Sequence, residues 1–120
     1  MTDRQMGAIE SRFADIIWEK EPITAAELAK QASDALGWKK TTSYTVLKRL
    51  CDKGIFHNDK GMVTACVSRQ EFYAMQSEKF VNDTFDGSLP AFLAAFTKRK
   101  QLSAKEVEEL RRLVAEYEEV

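Results

Sequence analysis

Start and stop signals for helices recur along this 120-residue chain, and their spacing limits what it can build. Three runs, Thr24-Ala25-Ala26-Glu27, Ser68-Arg69-Gln70-Glu71 and Ser103-Ala104-Lys105-Glu106, have the form of a capping box. In such a run the hydroxyl accepts from the third helical N–H and the Glu reaches back to the cap. Ser88 offers a further N-cap, while Gly37, Gly54 and the Asp86-Gly87 pair are stops. Pro22 ends whatever helix precedes it. Between these marks there is room only for short helices and one pair of short strands.

The apolar spacing fills those intervals. Met6, Ile9, Phe13, Ile16 and Ile17 recur at helical spacing, which predicts an amphipathic helix over about 4–20 with Asp3 as N-cap. Ile23 reads as a short extended link. Leu28, Ala29, Ala32 and Leu36 form the stripe of a second helix. A third runs from Thr41 or Thr42 to about Lys53, with Thr42 read as its N-cap. Ile55–His57 and Met62–Val67 are rich in β-formers, and Asn58-Asp59-Lys60-Gly61 between them predicts a hairpin turn. Three helices followed by a hairpin over residues 4–67 form a winged helix-turn-helix. Beyond it lie three more helical stripes. The first carries Phe72, Met75 and Phe80, the second Leu89, Phe92, Leu93 and Phe96. The third carries Val107, Leu110, Leu113, Val114 and Tyr117. The expected fold is mainly α with a small β-hairpin: a winged-helix domain over 1–68 and a helical dimerisation domain over 69–120.

Charge is distributed unevenly along this frame. The formal net charge is −1, yet residues 38–60 set Lys39, Lys40, Lys48, Arg49, Lys53 and Lys60 against only Asp52 and Asp59. That stretch covers the third helix and the hairpin tip. On the third helix Val46, Leu47, Leu50 and Cys51 share one face, and Thr41, Thr45, Lys48, Arg49 and Asp52 share the other, with Thr42 at its edge. The major groove of B-DNA admits one α-helix, and hydroxyls and cations are the side chains that contact phosphates and base edges there. Lys39 and Lys40 stand beside the positive end of the helix, which favours phosphate. Lys60 stands at the tip of the wing. Tyr44 is placed either to meet phosphate or to pack at the flank, and His57 reads as a surface strand residue.

The C-terminal stripes call for burial. Phe72, Phe80, Leu89, Phe92, Leu93, Phe96, Leu110, Leu113, Val114 and Tyr117 are more apolar surface than three short helices hide alone. A self-complementary interface with a second copy meets the need and suits reading of a two-fold DNA site. A closed monomeric bundle is the alternative. The residues also leave open a winged-helix module for a protein partner, or a repressor that senses a ligand at the dimer interface.

Other classes are excluded. No apolar run approaches a membrane span, and Met1-Thr2-Asp3-Arg4 leads into a polar stretch without a signal core, which predicts a cytoplasmic protein. One histidine, His57, and two cysteines outside any CxxC, Cys51 and Cys66, predict no metal site and no cofactor. Both cysteines read as small apolar residues in reduced form. No nucleophile–base pair and no glycine-rich phosphate loop points to an enzyme.

The chain resembles the penicillinase repressor family over nearly its whole length. The resemblance rests on Glu10 with Ile16-Ile17-Trp18, on Thr24-Ala25-Ala26-Glu27-Leu28 and on Trp38-Lys39-Lys40-Thr41-Thr42. It continues through Thr45-Val46-Leu47-Lys48-Arg49-Leu50, Lys53-Gly54 and Phe85-Asp86-Gly87-Ser88, then Leu102-Ser103 and Glu109-Leu110. It implies a homodimeric repressor on double-stranded operator DNA with dyad symmetry, with Thr42, Thr45 and Arg49 in the major groove. It implies release through a membrane sensor protease and cleavage in the dimerisation domain, at the bond matching Ala95–Phe96. The family's usual residue before that Phe is Asn, and here it is Ala95. Met62 and Cys66 stand where the family often has Arg and Tyr in the wing, leaving wing contact to Lys60. The closing Glu118-Glu119-Val120 lacks the Cys-x-Cys of the copper-responsive branch, so no copper sensing through that motif is implied.

Overall fold

A computed structural model describes residues 6–118. Its elements in order are α1 (Ala8–Lys20), β1 (Ile23–Thr24), α2 (Ala25–Leu36), α3 (Lys40–Asp52), β2 (Phe56–Asp59) and β3 (Met62–Ala65), then α4 (Arg69–Phe85), α5 (Leu89–Arg99) and α6 (Ala104–Glu118). Three helices and a hairpin are thus followed by three helices: a winged helix-turn-helix with a C-terminal helical part.

The capping hydroxyls act locally as expected. Thr24 Oγ1 accepts from the Glu27 N–H at 3.1 Å, Ser68 Oγ from Glu71 at 3.0 Å and Ser88 Oγ from Ala91 at 3.1 Å. The Ser103 box is reciprocal: its hydroxyl accepts from the Glu106 N–H at 3.0 Å, and Glu106 Oε1 accepts from the Ser103 N–H at 2.9 Å. Gly37 closes α2 in the left-handed conformation, φ 69°.

Three starts and links differ from expectation. α1 begins after Gly7, and the expected cap Asp3 lies outside the described residues. α3 begins at Lys40, with Lys39 as its N-cap, so Thr42 is not the cap but a residue of the first turn. Its start follows the packing of Trp38, whose ring stacks on Phe13 with centroids 5.0 Å apart. Ile23 is more than a link. With Thr24 it pairs antiparallel to Val63 and Met62, adding a third strand in the order β1-β3-β2.

The molecule divides into two compact units, and the division falls between Ser77 and Glu78 within α4. In the first unit Phe13, Ala14 and Ile17 of α1 pack with Leu28 and Ala32 of α2, Val46, Leu47 and Leu50 of α3, and Ile55, Phe56 and Val63 around the sheet. Phe72, expected on a dimerisation surface, joins them at 1% exposure as a core residue of this unit. Trp18 draws it in. The Trp18 ring lies 5.1 Å from Phe56 and 5.7 Å from Phe72, and its Nε1–H donates to the Val67 carbonyl at 3.0 Å. Asp15 accepts from Arg69 Nε at 2.9 Å, holding the guanidinium still more firmly protonated and tying the start of α4 to α1. Cys51 packs half-buried against this core, whereas Cys66 is exposed, and both are free thiols.

In the second unit Phe80, Phe85, Phe92 and Phe96 form a chain of ring contacts at 5.6–6.1 Å. Yet no residue of α5 or α6 is fully buried.

Candidate nucleic-acid interface

α3 has two faces because its apolar residues follow the helical period. Val46, Leu47 and Leu50 enter the core, with Ser43 beside them at 1% exposure. Thr41, Thr42, Tyr44, Thr45, Lys48 and Arg49 are exposed on the other side, and Lys39 and Lys40 are exposed where the helix begins. The expected residues of the third helix are thereby brought together on one surface.

Their hydrogen-bond state decides what they can offer. Thr45 Oγ1 donates to the Thr41 carbonyl at 2.9 Å, which commits its proton and leaves the oxygen as an acceptor for an outside donor. Lys48 Nζ pairs with Asp52 at 3.1 Å along the helix, both side chains well exposed. Such an exposed i,i+4 pair is worth about 0.3–0.5 kcal/mol and yields readily to a phosphate. Lys40 Nζ lies 5.6 Å from the centre of the Tyr44 ring, a cation–π contact that joins the two at the helix start. Arg49 Nη1 meets Glu10 Oε2 of α1 at 3.3 Å.

The wing is a tight hairpin. Lys60 and Gly61 both have positive φ, 51° and 93°, which is the pattern of a two-residue turn suited to the twist of the strands. Asn58 Oδ1 accepts from the Gly61 N–H at 2.9 Å and fixes the turn. Lys60 is therefore held at the tip, exposed, as expected. Two acidic residues pair with cations of this surface: Asp52, which helical spacing places on the same face, and Glu10, which the sequence does not place there. The spacing of Lys48 and Asp52 on one helix is a usable signal for the first. Glu10 lies 39 positions from Arg49, beyond any local rule.

The surface carries hydroxyls, cations and a short basic turn, the donors and acceptors that phosphates and base edges require. Among the described residues no three His, Cys, Asp or Glu side chains come together as metal ligands, and no helix is long and apolar enough to cross a membrane.

Comparison with known proteins agrees with this architecture. The chain is 28% identical to a penicillinase repressor of Bacillus licheniformis over 94% of this chain and 91% of the relative. It is 25% identical to the methicillin resistance regulatory protein MecI of Staphylococcus aureus, over 92% and 93% of the two chains. A penicillinase repressor of Staphylococcus aureus is also 25% identical, over 81% and 80%. The penicillinase repressor family model matches residues 6–116, through both units. The chain therefore belongs to the penicillinase repressor family, whose members are transcriptional repressors and not enzymes.

Proposed function

We propose that this protein is a cytoplasmic homodimeric repressor that binds a double-stranded operator with dyad symmetry. The observation that carries the reading is the outer face of α3. Its hydroxyls and cations stand exposed while the opposite face is committed to the core. Thr42, Thr45 and Arg49 enter the major groove. Lys39, Lys40, Thr41, Tyr44 and Lys48 meet the flanking phosphates, and Lys60 touches the backbone from the wing.

Dimerisation rests on the second unit. Phe80, Leu89, Phe96, Leu113, Val114 and Tyr117 are exposed apolar residues there, and Tyr117 is 76% exposed. Phe92, Leu93 and Leu110, less exposed, line an open apolar groove of about 490 Å3 between α5 and α6. A second copy laid into this surface buries it and places two α3 helices on two half-sites.

Release follows from the same unit. Ala95 and Phe96 lie inside α5, with Phe96 in the groove wall. Cutting the Ala95–Phe96 bond by a membrane sensor protease or a protease it activates splits α5 and breaks up the surface that a partner copy covers. The relatives named for penicillinase and methicillin resistance support genes of antibiotic resistance as the targets.

Selection of bound duplexes from a random pool tests the reading, with two matched half-sites as the expected product. Replacing Thr45 and Arg49 by Ala is expected to weaken operator binding by about 1–3 kcal/mol for each base that then goes unread, while leaving the dimer intact. Unchanged affinity in a shift assay would refute it. Affinity is also expected to fall steeply as salt rises, because phosphate neutralisation releases counterions.

A further inference from the structure

We propose that Glu10 is a positioning residue for operator reading: its carboxylate holds the Arg49 guanidinium in the orientation that contacts a base. The inference rests on the DNA-binding reading above and adds to it a residue outside the recognition helix.

The geometry is specific to this pair. Glu10 Oε2 accepts from Arg49 Nη1 at 3.3 Å, and Glu10 Oε1 faces the Gly7 N–H at 3.5 Å. Both carboxylate oxygens are thus engaged, one by the start of its own helix and one by α3. The Glu10 side chain is 20% exposed, against 51% for Arg49. The anchor is sheltered and the arm it holds is open to solvent.

The chemistry of the guanidinium makes such an anchor useful. Arg offers five N–H donors in a fixed planar fork. One pairs with Glu10, and the rest stay available, enough for the two-pronged contact to guanine O6 and N7. A long side chain free in solution loses rotamer freedom when it docks, and that loss weakens binding. Arg49 tied to α1 has already lost much of it. Glu10 also carries a negative charge toward a polyanion. Its net effect therefore depends on sequence. It disfavours any DNA by repulsion and favours a duplex that Arg49 can read. Glu10 thus raises discrimination more than affinity.

The test compares Glu10→Gln, Arg49→Ala and the double variant, each full length. Binding is read by fluorescence anisotropy on a duplex selected by the wild-type protein and on a scrambled duplex. Gln keeps the shape but loses the charge. In the wild-type background Glu10→Gln is expected to raise affinity for the scrambled duplex and to reduce the selected-to-scrambled ratio roughly two- to tenfold, the range for one immobilised side chain. In the Arg49→Ala background it is expected to leave the ratio unchanged. An unchanged ratio in both backgrounds overturns the proposal, and so does an equal loss in both, which marks a general effect on the fold. If Arg49→Ala itself keeps full discrimination, the DNA-binding reading of Arg49 fails instead.

Discussion

The two units of this chain use apolar residues in opposite ways. In the first, Phe13, Ile17, Leu28, Leu50, Ile55, Phe56, Val63 and Phe72 are sealed from solvent. In the second, rings meet edge to face, yet every residue of α5 and α6 keeps some surface open. The first unit satisfies its hydrophobic demand internally, while the second leaves part of it exposed. A protein that reads DNA needs a rigid recognition helix, and a closed core supplies that. The proposed dimer needs an interface whose loss does not unfold the DNA-reading unit, and an open helical unit suits that need.

The largest effect expected to separate the units is at Phe72. Phe72→Ala empties a site in the first core, and buried Phe→Ala changes cost about 3–5 kcal/mol. Urea denaturation is expected to show that loss at every protein concentration. A loss confined to the dimer equilibrium would return Phe72 to the interface. Next comes Leu113→Asp in α6, which places a charge on the open face. Sedimentation equilibrium is expected to show the dimer weakened at least tenfold, about 1.4 kcal/mol or more, with the first unit still folded. An unchanged dimer would exclude this face of α6 from the interface.

A smaller effect of opposite sign is expected inside α3. The Ser43 hydroxyl is buried and has no hydrogen-bond partner. Ser43→Ala removes an unsatisfied polar group and is expected to raise stability by about 1 kcal/mol, read from the thermal midpoint. Destabilisation there would mean the hydroxyl is bonded in solution.

The smallest effect concerns pH at the start of α6. The Ser103 N–H, and then its hydroxyl, hold the Glu106 carboxyl below its usual range. A carboxyl depressed on folding stabilises the native state above its unfolded pKa, and that stabilisation is lost as pH falls through the folded value. The protection of the Ser103 amide, taken relative to its intrinsic exchange rate at each pH, is therefore expected to fall once pH drops below the ordinary glutamate range near about 4.3. In Glu106→Gln that pH dependence is expected to vanish.

Much of the fold is legible in the sequence because its signals are local. The capping hydroxyls of Thr24, Ser68, Ser88 and Ser103 act within three residues of themselves, and each bonds as its sequence implies. The outer face of α3 is legible for the same reason, since helical periodicity alone separates Val46, Leu47 and Leu50 from Thr45, Lys48 and Arg49. The start of α3 is not, because the packing of Trp38 on Phe13 overrides the cap offered by Thr42. β1 is hidden from any local reading because two residues make a strand only when Val63 and Met62 arrive from far along the chain to pair with them.

The primary structure determined where most of the helices begin and end, which face of each is apolar, and that the basic residues gather around one helix and one turn. Those properties depend on neighbours within a few positions. Tertiary structure decided which unit claims Phe72, that Cys66 is exposed while Cys51 packs half-buried, and that Glu10 holds Arg49. Each of these turns on two segments far apart in sequence meeting in space. Local periodicity cannot encode such a meeting: the same apolar stripe serves equally well against an internal neighbour or a second copy, until packing assigns it.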